Sequence, residues 1–368
     1  MKPILLILFA LAGWRAGGAP VQETKPPVRF AVVGLVHDHA MGFFGRLRDR
    51  PDVQLAGIVE TNQALIARYS QRFNLSPNLF FPSLEALAAK TKVSAVATFT
   101  STYDHARVVE TCAALGVGVV MMEKPLAVNL KQARRIEAAA KKGGLQIIVN
   151  YETTWSAGNQ AAYALVHDER QIGDLRRLVV HDGHRGPKEI GCSEEFLAWL
   201  TDPMLNGGGA LNDFGCYGAD LATWFMDGQA PASVFALTQH IKPEIYPRVE
   251  DDATIVLAYP KAQVIIQASW NWPFDRKDLE IYGKTGYVLV PRPDLLRVRT
   301  AKMPDATDAT PPPLAGVQAD PLAYFAAVAR NEIQPAGLSS LAVNLVVVEI
   351  LDAARESAQT GRRVDLKP

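Results

Sequence analysis

The chain has few cysteines and no excess of charge of either sign. Its 368 residues include only Cys112, Cys192 and Cys216, which form no CxxC pair and no zinc-type spacing. This pattern predicts buried thiols rather than a disulfide framework. Lysine plus arginine and aspartate plus glutamate number 38 each, so charge does not indicate nucleic acid or an anionic membrane as a partner. Heptads, repeats and low-complexity tracts are also lacking, and the length suits two domains.

The N-terminus has the pattern of a processing segment. Lys2 is followed by the apolar run 4–12 and then by the small residues 16–19. This order is typical of a signal peptide over residues 1–19, and residues 20–27, with a Pro-Pro pair, are expected to be a linker. We therefore expect an exported protein, periplasmic or extracellular, with no membrane contact beyond the leader. Arg15 behind the apolar run leaves open an uncleaved membrane anchor.

The rest of the chain predicts an α/β protein of two domains. In residues 28–150, apolar β-branched runs alternate with amphipathic helices, as in a Rossmann-like, doubly wound parallel sheet. In residues 151–368, short strands follow one another with tight turns, which favours an α+β domain with a large, open, mostly antiparallel sheet. We expect the second domain to bind substrate and to form oligomer contacts.

The first strand ends in a turn that is poor in glycine. A dinucleotide fingerprint needs three glycines there, because backbone must approach a pyrophosphate closely. Gly34 is present, but Val36 and His39 stand at the second and third glycine positions. His37 and His39 are expected to offer phosphate donors in place of the lost backbone contacts. Glu60, after the second strand, suits a ribose diol and would repel a 2′-phosphate, which favours NAD over NADP.

Two other interpretations of this turn remain open. The side chains of His37, Asp38 and His39 are potential metal ligands, but no further ligand is evident in the sequence, so no metal site is predicted. Asp38 also suits a plain helix cap.

Two motifs point to an active site. The apolar run 117–122 leads into Glu123-Lys124-Pro125, which places an ammonium at a strand end, where open α/β sheets bind ligands. The glycines 207–209 precede Asp213 and Tyr217, which are four residues apart and share a helix face. As a hypothesis, Tyr217 accepts or relays a hydroxyl proton with its pKa lowered by Lys124, Lys124 holds the hydroxyl oxygen, and Asp213 orients Lys124 or a second hydroxyl. Alternatively, Asp213 is a helix cap and Tyr217 a packed aromatic.

These segments resemble the Gfo/Idh/MocA oxidoreductases (glucose–fructose oxidoreductase, inositol dehydrogenase and rhizopine catabolism). Residues 100–105 are similar to the family's TPxxxH turn, 123–127 to its EKPLA segment and 207–220 to GGGxLxDxGxHxxD, with Tyr217 where histidine is commonest. The resemblance implies NAD(P) dependence, a sugar or polyol substrate, and homodimers or homotetramers. It also implies cofactor contacts from Thr100, His105, Glu123 and Lys124.

Further candidates follow strands of the predicted crevice. The expected substrate-binding residues are Tyr151, Trp155, His181, His184 and Lys188. Two alternatives to a dehydrogenase remain open, because little free NAD exists outside the cell and two inner glycines are missing. One is a redox-neutral enzyme that acts on glycosides with transient use of bound NAD. The other is a catalytically silent sugar-binding relative.

Overall fold

The computed structural model describes residues 25–366. The predicted signal peptide and residues 20–24 of the predicted linker lie outside the described residues. Within 25–366, every helix is too short or too polar to cross a membrane.

The first sheet has six parallel strands in the order β3-β2-β1-β4-β5-β6. The strands are β1 (Val28–Val33), β2 (Val53–Val59), β3 (Phe80–Phe81), β4 (Ala95–Thr98), β5 (Val119–Glu123) and β6 (Gln146–Asn150). This is the strand order of a dinucleotide-binding fold, whose ligand crevice lies where the order reverses, beyond β1 and β4. The predicted Rossmann-like sheet is confirmed; β3 was not predicted, since two residues give no period.

Helices cover both faces of this sheet. They are α1 (His39–Arg46), α2 (Gln63–Phe73), α3 (Leu84–Ala88), α4 (His105–Ala114) and α5 (Leu130–Gly143). Local chemistry sets their ends: the Asn62 side chain accepts backbone N–H groups at the start of α2, and Asn129 does so for α5. Gly144, in the left-handed region, ends α5.

The second sheet has nine strands in the order β14-β13-β12-β11-β7-β10-β9-β8-β15. Only the β7–β10 pair is parallel, so the predicted large, mostly antiparallel sheet is confirmed. The strands are β7 (Leu175–Gly183), β8 (Ser233–Gln239), β9 (Asp252–Ala258), β10 (Gln263–Ser269), β11 (Arg276–Gly283), β12 (Gly286–Arg292), β13 (Leu295–Thr300), β14 (Met303–Ala309) and β15 (Val364–Asp365). The last three were not predicted. β14 is exposed along its whole length and has no apolar face to reveal it.

Six helices accompany the second sheet. They are α6 (Ala157–Tyr163), α7 (Glu194–Leu200), α8 (Ala210–Asp213), α9 (Gly215–Phe225), α10 (Pro321–Ala329) and α11 (Leu341–Thr360). Helices α9 and α11 pack together on the sheet. Helix α10 returns to the first domain, where Phe325 meets Phe30 edge-on at 5.7 Å between ring centroids.

One predicted helix is interrupted. Asp213 and Tyr217 are expected to share one helix, but the structure places them in two helices that are separated at Phe214. The carbonyl oxygen of Asp213 accepts a hydrogen bond from the Lys124 ammonium at 2.9 Å, and the Tyr217 N–H turns instead to the Phe214 carbonyl. The Lys124 contact therefore uses a carbonyl that a continuous helix would pair with the Tyr217 N–H.

Candidate active site

Lys124 and Asp213 form a buried ion pair between the two domains. Lys124 follows β5 and Asp213 ends α8; Lys124 Nζ lies 2.5 Å from Asp213 Oδ1. Trp270 Nε1 donates to the second carboxylate oxygen at 3.0 Å. Both residues line a cavity of about 390 Å³. Asp213 therefore holds Lys124 rather than capping a helix, as the sequence hypothesis expected.

The pair keeps both groups charged despite burial. Burial alone would lower the pKa of Lys124, but the Asp213 carboxylate reverses this and raises it. Burial would likewise raise the pKa of Asp213, but the Lys124 ammonium and its hydrogen bond lower it. A fixed ammonium therefore faces the cavity at neutral pH, where it can hold a substrate oxygen.

Tyr217 lines the same cavity, but its predicted pKa direction is wrong. Lys124 Nζ lies 4.9 Å from the centroid of the Tyr217 ring and Lys277 Nζ lies 4.1 Å from it. The cations thus sit against the ring, where they interact with the π-system. Burial, followed by the nearby carboxylates Glu152 and Asp182, raises the pKa of Tyr217 well above its ordinary value. Tyr217 therefore remains a phenol at neutral pH and is suited to donate a hydrogen bond.

Asp182 is a site residue that the sequence interpretation did not select. It lies on β7 opposite Lys277 of β11, and Lys277 Nζ is 3.7 Å from its carboxylate. Burial raises the pKa of Asp182 to about 7, although Lys277 and Lys124 oppose the shift. A carboxyl group that titrates near neutral pH is suited to accept a proton. Lys277 also pairs with Glu152 at 2.5 Å.

A second cavity, of about 360 Å³, lies beyond the carboxyl ends of β1 and β2. Gly34, Val36, Glu60 and Thr100 line it. Gly34 has φ +79°, and a Cβ there would lie 2.6 Å from Thr100 Cγ2, so the first glycine of the turn is required. Glu60 accepts the Leu35 N–H at 3.0 Å through one carboxylate oxygen. The predicted cofactor residues Gly34, Val36, Glu60 and Thr100 therefore meet at one crevice.

The first turn contacts the second domain. Asp38 does not cap α1 with its side chain; it accepts the Ser193 hydroxyl at 2.6 Å and the Ser193 N–H at 2.8 Å, so the helix-cap interpretation is wrong. His37 is buried, and its ring centroid lies 4.7 Å from that of Phe196. Burial lowers its pKa well below the ordinary value, so a phosphate contact from His37 would be a hydrogen bond from a neutral ring.

Two further predicted cofactor residues, His105 and Glu123, are buried next to the stretch of chain that carries Lys124. His105 is buried, with Nδ1 3.2 Å from the Leu126 carbonyl oxygen, so it supports the chain after Lys124 and lines neither cavity. Glu123 is also buried; it contacts His39 Nδ1 at 2.8 Å and accepts the Asn150 amide at 2.8 Å.

The predicted substrate residues are divided between locations. His184 lines the 390 Å³ cavity. Trp155 and His181 line a neighbouring cavity of about 310 Å³, which shares Glu152, Asp182 and Lys277 with the first. Tyr151 is fully buried behind Tyr217, at 5.4 Å between ring centroids.

Lys188 is exposed and lies outside these cavities. Its backbone N–H donates to the Tyr246 hydroxyl at 3.1 Å. The structure therefore does not bring Lys188 into the site.

Comparison with known proteins identifies both domains. Residues 28–151 match the family model described as "Oxidoreductase family, NAD-binding Rossmann fold", and residues 160–289 match the "GFO/IDH/MocA C-terminal domain". The trans-1,2-dihydrobenzene-1,2-diol dehydrogenase of Sus scrofa is 25% identical over 217 residues, 58% of this chain and 59% of the pig enzyme. The D-apiose dehydrogenase of Paraburkholderia graminis is 23% identical over 351 residues, 89% of this chain and 88% of that protein. The chain thus spans about three fifths of the length of the pig enzyme.

Solved structures share the fold over nearly the whole chain. The aldose-aldose oxidoreductase from Caulobacter crescentus, complexed with glycerol, has a TM-score of 0.77 at 21% identity, covering 92% of this chain and 100% of that one. An inositol dehydrogenase homolog from Azotobacter vinelandii, complexed with NAD+, has a TM-score of 0.78 at 17% identity, covering 94% and 98%. The two matching domain models and this common architecture show that the chain belongs to the Gfo/Idh/MocA oxidoreductase family.

Proposed function

We propose that the protein is an NAD-dependent oxidoreductase that transfers hydride between a carbinol carbon of a sugar or polyol and the nicotinamide. The observation that carries this proposal is the buried Lys124–Asp213 pair, which faces a 390 Å³ cavity at the end of β5, beside the crevice of a dinucleotide-binding sheet. The names of the similar dehydrogenases support a sugar or polyol as substrate.

The residues of the crevice fit NAD. The turn at Gly34 lets backbone approach the ligand without a Cβ, and Glu60 offers a carboxylate for a ribose diol. Thr100 lies at the end of the neighbouring strand and lines the same cavity. A carboxylate at Glu60 disfavours a 2′-phosphate, which supports NAD over NADP. Bound NAD would supply the hydride acceptor.

The chain's own groups handle the hydroxyl. Lys124 holds the substrate oxygen, because its ammonium is fixed by Asp213 and stays protonated. Tyr217 donates a hydrogen bond from its neutral phenol. Asp182, rather than Tyr217, accepts the proton, because its pKa of about 7 matches a general base at neutral pH.

Nucleotide-binding and substrate assays on the purified protein distinguish this function from the two alternatives. We expect nucleotide to be released on denaturation, or added NAD to bind, and a panel of sugars and polyols to include one that yields NADH in equal amount. Consumption of a glycoside without net NADH would instead support the redox-neutral enzyme. Sugar binding without any nucleotide binding would support the silent relative.

Gly34→Ala tests the cofactor crevice. The new methyl would collide with Thr100 at a backbone angle that disfavours side chains, so we expect a loss of about 1–3 kcal/mol in the free energy of unfolding and weaker NAD binding by calorimetry. Gly42→Ala is the matched control, because a Cβ at Gly42 in α1 has no neighbour within 4 Å. NAD affinity that is equal in the two variants would contradict the assignment of the crevice.

Export and self-association belong to the same proposal. The predicted leader supports export, periplasmic or extracellular, which would require tightly held NAD that a second substrate recycles. Phe235 and Leu237 lie two residues apart on β8, so their side chains share one face of the sheet. They are 44% and 60% exposed. Adjacent apolar side chains on an open sheet face are suited to contact a second copy, which supports a homodimer or homotetramer.

A further inference from the structure

Two histidines and one glutamate meet at the edge of the active-site cavity. His37 and His39 lie in the turn after β1, and Glu123 ends β5. One ligand atom of each lies within 4.8 Å of the others. No sequence pattern links the two histidines with Glu123, which is more than eighty residues away along the chain. The prediction of no metal site depended on the lack of a further ligand, and the sheet brings one there.

The ligand set has the chemistry of a transition-metal site. Two imidazoles and one carboxylate form the protein ligands of one class of catalytic zinc site, which keeps a further position open. His37 is buried beside the turn that carries His39. Its ring accepts only a 3.2 Å contact from the His39 N–H among the described residues. His39 lines the 390 Å³ cavity, so an open position has access to water or a substrate oxygen.

Outer contacts hold the carboxylate in place. Asn150 Nδ2 donates to Glu123 Oε1 at 2.8 Å, and Trp155 Nε1 donates to Asn150 Oδ1 at 2.9 Å. Glu123 Oε2 stays directed at His39, 2.8 Å from Nδ1. Such outer hydrogen bonds orient ligands at metal sites.

In a second cluster of the same kind, the carboxylates are already bonded to an arginine or a tyrosine outside the cluster. His181, Asp278 and Glu280 also place ligand atoms within 4.8 Å of one another. Asp278, however, already forms an ion pair with Arg276, and Glu280 accepts the Tyr282 hydroxyl at 2.7 Å.

We propose that His37, His39 and Glu123 form a site for a divalent transition-metal ion such as Zn²⁺, open towards the active-site cavity.

Zinc titration of the full chain, first stripped with a chelator and free of NAD, tests the proposal. We expect calorimetry to show one equivalent of Zn²⁺ bound by the wild type. His39→Gln and Glu123→Gln should each lower the affinity at least ~10-fold, since even loss of an outer partner has an effect of that size. His39 is the preferred position, because its side chain is 42% exposed and its replacement spares the core.

His240→Gln is the matched control. His240 is exposed and lies outside the cluster, so this variant should bind Zn²⁺ like the wild type, and thermal denaturation should show all the variants folded. The proposal is overturned if the wild type binds no stoichiometric Zn²⁺. It is equally overturned if both His39→Gln and Glu123→Gln retain wild-type affinity.

Discussion

Replacement of Lys124 by methionine is expected to reduce sugar-dependent NADH formation about 10²–10³-fold or more, the usual effect of removing one positioned charge or donor from an active site. Methionine keeps the unbranched stem of the side chain but not the ammonium that faces the cavity. The loss should appear in kcat, because Lys124 holds the oxygen whose charge changes during the reaction. Steady-state kinetics at saturating NAD measure it.

The same change leaves Asp213 as an unpaired buried carboxylate. Breaking a buried pair costs roughly 3–5 kcal/mol of folding free energy, so a fall in stability accompanies the loss of activity. The double variant Lys124→Met with Asp213→Asn separates the two effects. A neutral amide can still accept the Trp270 N–H, so stability should largely return while activity stays low.

Lys188→Met is the matched control for the loss of a lysine. Lys188 is exposed and lies outside the cavities, so its removal should leave turnover unchanged. Full activity in the stable double variant would contradict the role of Lys124. A large loss in Lys188→Met would show that the cavity has been assigned wrongly.

Asp182→Asn is expected to reduce turnover roughly 10²–10⁴-fold, the range for loss of a general base, and to remove a pH dependence. In the wild type, activity should rise as pH passes about 7, where Asp182 ionises. The amide of the variant cannot ionise, so its residual activity should not show this rise. Asp294→Asn, at an exposed turn, is the control and should keep the wild-type profile.

The same titration affects stability with a defined sign. The pKa of Asp182 in the folded protein is raised from 3.8 to about 7, so the folded state binds the proton more tightly than the unfolded state. Its contribution is therefore fully present below pH 3.8 and is lost as pH rises through about 7. Asp182→Asn should be more stable than the wild type at pH 8 by up to about 4 kcal/mol, because the shift spans roughly three pKa units at about 1.4 kcal/mol each. A wild-type stability that rises over this range, or equal pH profiles in the two proteins, would contradict the role of Asp182.

Local patterns were enough to predict the type of both sheets and the central ion pair, although β3, β13, β14 and β15 were not predicted. The apolar runs 28–33 and 53–59 can be read directly from the sequence, and they coincide with β1 and β2, because buried parallel strands are continuous apolar runs. Lys124 and Asp213 were paired in the sequence hypothesis because each follows a distinctive motif, and both motifs point to the crevice of an α/β sheet.

The sequence did not predict which other side chains meet at the site, because these meetings depend on how the strands are paired and aligned. Asp182 and Lys277 meet because β7 and β11 pair antiparallel with these residues opposite each other, and a single sequence does not reveal that register. His39 and Glu123 meet because β1 and β5 end at the same edge of one sheet. The pKa of Tyr217 was predicted in the wrong direction because the sequence suggests proximity to Lys124 but not that the cation lies against the ring.

A crystal structure with NAD and a polyol substrate bound tests the central claim most directly. We expect nicotinamide density at the mouth of the 390 Å³ cavity, with the carbinol oxygen within about 3.2 Å of Lys124 Nζ, the reach of a hydrogen bond. We also expect Asp182 to lie within reach of the same hydroxyl, directly or through one water. Substrate bound away from Lys124, or nucleotide bound outside the crevice at Gly34, would contradict it.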